Sequence, residues 1–149
     1  MSTWLPFGLQ FQQGLGNMTK NTHPNNMTPD QMEERIVRLA FDGDLLRFRE
    51  FCAVLKDGLP EGTGFALRGS VVTNKRYEDG KPFDADGRGS SDLDVTLVGN
   101  KVMEFWNEDA YYIPALHTKP LCDEDPAVAP SLNPLREELQ KLAGRQGTA

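Results

Sequence analysis

The stretch GRGSSDLDVTLVG, Gly87 to Gly99, decides how this chain is read. Two aspartates, Asp92 and Asp94, straddle Leu93 and lead into Val95, Thr96, Leu97 and Val98. Side chains alternate along a strand, so Asp92, Asp94 and Thr96 share one face while Leu93, Val95 and Leu97 share the other. The two carboxylates then stand about 7 Å apart along the backbone, twice the rise per residue. Left alone, like charges on one strand face repel and raise each other's pKa. A hard cation removes that conflict: magnesium takes oxygen ligands, usually one or two carboxylates with phosphate oxygens and waters, and a strand holds both acids rigidly.

Upstream, GTGFALRGS (Gly62 to Ser70) predicts a short strand over Phe65–Leu67 that runs into a turn at Gly69 and Ser70. Glycine lets an anion approach the backbone, and the turn offers N–H groups and a hydroxyl. Gly69 and Ser70 beside Asp92 and Asp94 thus supply donors for phosphate and acids for a metal. In phosphoryl or nucleotidyl transfer such a metal polarises the phosphate and activates the attacking hydroxyl. Between the two motifs lies a polar, glycine-punctuated segment, Val71 to Ser90, carrying Lys75, Arg76, Lys81 and Arg88. These cations either clamp a triphosphate or steer an RNA backbone, or they solubilise a loop in balance with Glu78, Asp79, Asp84 and Asp86. Lys75 and Arg76 are the stronger candidates because they follow Ser70 closely. Arg68 alternates away from Leu67, toward the site or toward solvent.

Around this centre the patterns are helical. TPDQMEERIVRLAFDGDLLRFREFCAVLKDG begins with Thr28 as cap, Pro29 at the first helical position and Gln31 where a capping box wants Glu or Gln. FDGD at 41–44 divides it in two, and Gly58 with Pro60 ends it. NKVMEFWNE predicts a short helix. The proline-rich stretch from Tyr111 to Pro134 reads as loop with one short strand at its start. NPLREELQKLAG predicts a closing helix with Asn133 as cap, Pro134 at the first position and Gly144 as stop. Residues 1–27, with Trp4, Phe7, Leu9 and Phe11, read as a loosely ordered arm, and 28–149 as one domain.

Composition excludes several classes. A net charge of -6, from 16 Lys+Arg against 22 Asp+Glu, argues against a surface that grips nucleic acid everywhere. No stretch approaches the roughly 20 apolar residues of a membrane span, and the N-terminus makes a poor signal peptide. Cys52 and Cys122 do not form a disulfide framework, which points to a reduced, cytoplasmic setting. His23 and His117 have no Cys or His at ligand spacing, so zinc is not expected. Phe105, Trp106, Tyr111 and Tyr112 read as core or packed edge.

Taken singly, Gly-Ser and Asp-x-Asp are ordinary features of turns and strand edges. Their ordered conjunction (helix, ALRGS, loop, SDLDVTLV) is more specific, and on those residues the chain resembles the nucleotidyltransferase fold of the polymerase-beta type. It is most similar to the small stand-alone nucleotidyltransferases of bacterial toxin–antitoxin systems and toxin-associated domains. The resemblance covers about residues 30–99, with LREELQKLAGR less specific. It implies an α/β (α+β) fold with a small mixed sheet flanked by helices. It also implies that Asp92 and Asp94 bind magnesium, or manganese in its place, and that Gly69 and Ser70 hold the triphosphate of ATP or another NTP. The implied activity moves an NMP from an NTP to a hydroxyl on protein or RNA, with a cognate protein partner in the toxin–antitoxin setting. Two features depart from the family pattern. The loop between the motifs is long, and neither a third acid on a later strand nor the family's last, apolar strand is evident. Asp123, Glu124 and Asp125 read as solvated loop charges. The alternative is therefore a catalytically degenerate copy that binds a nucleotide or protein without turnover, and a third class is an adaptor acting through the N-terminal arm.

Overall fold

The computed structural model describes residues 23–113, 117–122, 124–145 and 147–148. In chain order its elements are α1 (Pro29–Ala40), α2 (Leu45–Gly58), β1 (Gly64–Arg68), α3 (Ser70–Thr73), β2 (Leu93–Val98), β3 (Tyr111–Ile113), β4 (His117–Thr118), α4 (Asn133–Ala143) and β5 (Gly147–Thr148). The fold is α+β. A small mixed sheet has the order β1-β2-β5, and β3 and β4 form a separate antiparallel pair. β1 runs antiparallel to β2, with Leu67 opposite Val95 and Arg68 opposite Asp94, while β5 runs parallel to β2.

Local chemistry accounts for the helical hairpin. Thr28 Oγ1 accepts from Gln31 N–H, and Gln31 Oε1 accepts from Thr28 N–H, closing the capping box in front of α1. The chain breaks where Asp42 and Gly43 adopt left-handed φ of 56° and 81°, and Asp44 caps α2 through Arg47 N–H. The break turns Phe41 inward, where it is fully buried with its ring edge-on to Phe48 and Phe51 at 5.3 Å centroid spacing. Ile36, Val37, Phe51, Leu55 and Val71 continue the core, which Leu93 and Val95 meet from the sheet. α4 closes over α2 at Gly58, where an added Cβ would collide with the Leu135 side chain.

Several elements differ from the sequence expectation. Ser70–Thr73 is one turn of helix, not open loop, because the fully buried Val71 anchors it in the core. Asn133 is not the cap of α4: it already has helical φ and ψ, and its Oδ1 accepts from Arg136 Nη1 at 2.7 Å. Asn100–Phe105 is a 3-10 helix, and the strand expected at Tyr111 has a partner in β4. After α4 the chain returns to pair with β2 at Leu93 and Asp94, a two-residue strand where none was expected. Residues 1–22 of the expected arm, and Asp123, lie outside the described residues. Met27, assigned to the arm, is buried. Among the described residues no helix is long and apolar enough to cross a membrane.

One polar cluster sits inside this core. Arg145, buried just after α4, donates from Nη1 to both carboxylate oxygens of Asp84 at 2.8 and 2.9 Å and to Ser91 O at 3.0 Å. Its guanidinium lies 4.7 Å from the Phe83 ring centroid. Asp84 has φ of 57°, a conformation Asp tolerates better than most side chains, and it also accepts from Gly89 and Ser91 N–H. Burial alone would push the Asp84 carboxyl up. The hydrogen bonds from Arg145, Gly89 and Ser91 outweigh it and hold the group below its usual value.

Because the folded carboxyl titrates below the unfolded one, its stabilisation is present above the unfolded pKa of about 3.9 and is lost as pH falls through the folded value. Asp84→Asn is therefore expected to lower unfolding stability by about 3 kcal/mol at pH 7, as breaking a buried pair does. The deficit should shrink below about pH 4. Urea unfolding at pH 7 and pH 3 checks this, and equal deficits at both would contradict the ion-pair account.

Candidate functional site

The site forms where β1 and β2 meet the start of α3. On β2, Leu93 and Val95 are buried, Asp94 is half-buried and Thr96 exposed, as alternation requires; Asp92, one residue before the strand, is exposed. The register sets Arg68 opposite Asp94, so Arg68 shares the face of the acids.

Gly69 then turns the chain out of β1 with φ of 74° and ψ of -149°. A Cβ at this position would collide with Asp94 Oδ2, closer than real Cβ atoms come. Glycine is thus demanded twice, by backbone conformation and by contact with the carboxylate. Gly69 O accepts from Val72 and Thr73 N–H at 3.1 and 3.0 Å, which starts the α3 turn. Arg35, buried on α1, donates to Val72 O at 2.9 Å and fixes that turn from below.

An open cleft of about 1430 Å³ lies over this junction. It brings together Gly69, Ser70, Lys75, Arg76, Asp92 and Asp94, six of the residues that the sequence singles out, and leaves Arg68 across the strand pair from Asp94. Arg76 is committed within the protein: its guanidinium pairs with Asp79 and, at 2.7 Å, with Asp86. Lys75 is exposed and forms no ion pair among the described residues. His23, Tyr77 and Glu78 also line the cleft and were not anticipated. His23 carried no signal, since its segment reads as an arm. Tyr77 had one: it is the lone aromatic in a run of charges.

Asp94 is the electrostatic focus. Burial raises its carboxyl above the usual value; Arg68 opposes this and Glu78 adds to it. Among the described residues no group of three or more His, Cys, Asp or Glu is placed to hold a metal, so any divalent ion would rest on Asp92 and Asp94 with water or phosphate oxygens as its other ligands. That arrangement fits magnesium, which keeps several waters, and Asp94 as a half-buried carboxylate gains from an incoming cation. The net charge of the lining agrees: Glu78, Asp79, Asp92 and Asp94 outnumber Lys75 and Arg76, so a polyphosphate enters unfavourably unless a cation accompanies it.

A carboxyl whose folded pKa lies above its unfolded value destabilises the protein once pH exceeds the folded pKa, and not below the unfolded one. Asp94→Asn is accordingly expected to raise Tm at pH 7 in metal-free buffer and to leave it unchanged at pH 3. A variant that melts below the wild type at pH 7 would show that Asp94 serves the fold. Comparison with protein-family models, with characterised proteins and with solved structures finds no match to this chain.

Proposed function

We propose that the protein is a metal-dependent nucleotidyltransferase that moves an NMP from an NTP to a hydroxyl on protein or RNA. The observation that carries this reading is the packing of the Asp94 carboxylate against the Gly69 backbone. It sets an Asp-x-Asp pair directly beside a Gly-Ser turn in one cleft. The resemblance of ALRGS and SDLDVTLV to the polymerase-beta type supports the same assignment.

In the proposed reaction the acceptor hydroxyl releases its proton to solvent, its oxygen forms a bond to the α-phosphorus, the bond from that phosphorus to the oxygen bridging to the β-phosphate breaks, and pyrophosphate leaves. Asp92 and Asp94 hold the divalent ion, magnesium or manganese, which supplies charge neutralisation and polarisation at the phosphates when bound. Ser70 offers its hydroxyl, and the Ser70 and Val71 N–H groups lie ahead of the Val72 and Thr73 N–H groups that Gly69 O takes. Lys75 adds a positive charge free to meet phosphate, while Arg76 shapes the loop through Asp79 and Asp86. Arg68, opposite Asp94, opposes the burial that raises the Asp94 carboxyl. The reading further implies a cytoplasmic protein, consistent with two free cysteines, working in a toxin–antitoxin setting with a cognate partner protein. A second reading, a module that binds nucleotide or protein without turnover, is favoured by one observation: no third carboxylate joins Asp92 and Asp94 as a metal-holding group among the described residues.

Transfer from each of four α-labelled NTPs to total RNA and to lysate protein, with magnesium or manganese, tests both. The wild type is expected to incorporate label, and the Asp92→Ala/Asp94→Ala variant to fall by at least roughly 100-fold, the rate equivalent of losing several kcal/mol. EDTA should abolish the signal. Magnesium-dependent NTP binding without transfer would select the binding module; absence of both would overturn the nucleotide assignment.

A further inference from the structure

Tyr77 is the most exposed large hydrophobic side chain among the described residues, 100% accessible, yet the backbone that carries it is tied down. Arg76 N–H donates to Lys81 O at 2.8 Å and Gly80 N–H to Arg76 O at 3.0 Å, closing the turn on which Tyr77 stands. Across the turn the Arg76 guanidinium grips Asp79 and Asp86, and Asp79 also accepts from Lys81 N–H at 3.0 Å. The preceding residues are equally fixed: Asn74 takes a left-handed φ of 53° while its Oδ1 accepts from Phe83 N–H, and Lys75 N–H donates to Thr73 Oγ1. A continuous, hydrogen-bonded path therefore runs from the Gly69–Ser70 turn to Tyr77, and both ends line the same cleft.

An aromatic carried into water on a fixed stretch of backbone forgoes the burial its ring would gain elsewhere. It has also already lost the backbone freedom that a loop surrenders when it orders around a ligand. Both are properties of a preformed platform. A ring that lines the same cleft as the proposed phosphate donors and metal-binding acids is available to the part of a nucleotide that those groups leave unpaired, its base. Every base has a π-face, so a tyrosine ring serves whichever base is present.

We propose that Tyr77 is the base-stacking residue of this cleft, a positioning residue that holds the nucleobase of an NTP while the Gly69–Ser70 turn and the acids hold its phosphates. This rests on the nucleotide reading above and adds to it the residue that distinguishes a nucleotide from bare polyphosphate.

The test is calorimetric titration of the full chain with ATP, CTP, GTP and UTP, and separately with inorganic triphosphate, all in magnesium buffer. Tyr77→Ala is expected to weaken NTP binding by roughly 5- to 150-fold, the range measured for loss of one base–aromatic stack, and to leave triphosphate affinity unchanged. Tyr77→Phe, which keeps the ring, should bind NTPs within about twofold of the wild type. Unchanged NTP affinity in Tyr77→Ala, or an equal loss for triphosphate, would overturn the stacking role while leaving the nucleotide site intact. A wild type that binds neither NTP nor triphosphate would overturn the nucleotide reading and the stacking role together.

Discussion

The geometry of the site depends on one buried guanidinium. Arg145 reaches Asp84, Ser91 O and, at 3.5 Å, Ala40 O, so three segments distant in sequence (the end of α1, the long loop and the second residue after α4) meet on a single side chain. Ser91 is the residue before Asp92, and fixing its carbonyl fixes where β2 begins. Removing two charges from water is expensive, and pairing recovers that only with good geometry and satisfied neighbours. Here both carboxylate oxygens are bonded, though Arg145 Nε is buried with no hydrogen-bond partner among the described residues. Such a cluster adds less to net stability than apolar packing of the same volume. What it provides is one arrangement of the loop in place of many.

That arrangement explains how a segment as polar as Asn74 to Ser90 holds a defined shape. Apart from Lys75 and Glu78, its charges are spent on one another or on the body of the protein. Arg76 takes Asp79 and Asp86, Lys81 approaches the same two acids, Asp84 takes Arg145, and Arg88 crosses to Asp42 in the α1–α2 turn. The exposed pairs each contribute little, and salt weakens them further. Their value is directional, since each permits one fold of the loop and opposes others.

This division also explains what the sequence disclosed. Alternation in SDLDVTLV matches Asp94 and the buried face of β2 because a strand pattern is local, though the strand begins after Asp92, and the capping box at Thr28 is written within four residues. The Gly-Ser turn was legible for the same reason, as were the break at FDGD and the stop at Gly144. The clamp was not. Asp84 and Arg145 stand 61 residues apart and Arg88 and Asp42 stand 46 apart, and nothing in local spacing tells a paired loop acid from a solvated one. Arg76 looked like a phosphate ligand on proximity to Ser70, when its charge is already engaged. The helical turn at Ser70–Thr73 escaped for a related reason: it exists because Val71 is pulled into the core, a tertiary demand on four residues that carry weak helix propensity.

The acids from Asp79 to Asp94 are chemically alike, and the fold sorts them. Asp79 is drawn down to about 2 by Arg76 and by the Lys81 N–H, and Asp86 is lowered by the same arginine. Asp84 is lowered despite its burial, by Arg145 and two backbone donors. Asp94 moves the other way, raised by its burial against Gly69, with an exposed Arg68 opposing the effect and Glu78 adding to it. A chain that equips three neighbouring carboxylates with arginine partners has the means to do so for a fourth. Among the described residues Asp94 forms no direct ion pair, and under the proposed reading such a desolvated acid would be open to a cation from solution. Environments that push like groups apart in this way concentrate at working sites. In this protein that separation, more than the Asp-x-Asp spacing itself, sets Asp94, raised by burial, apart from the arginine-paired acids that hold the loop.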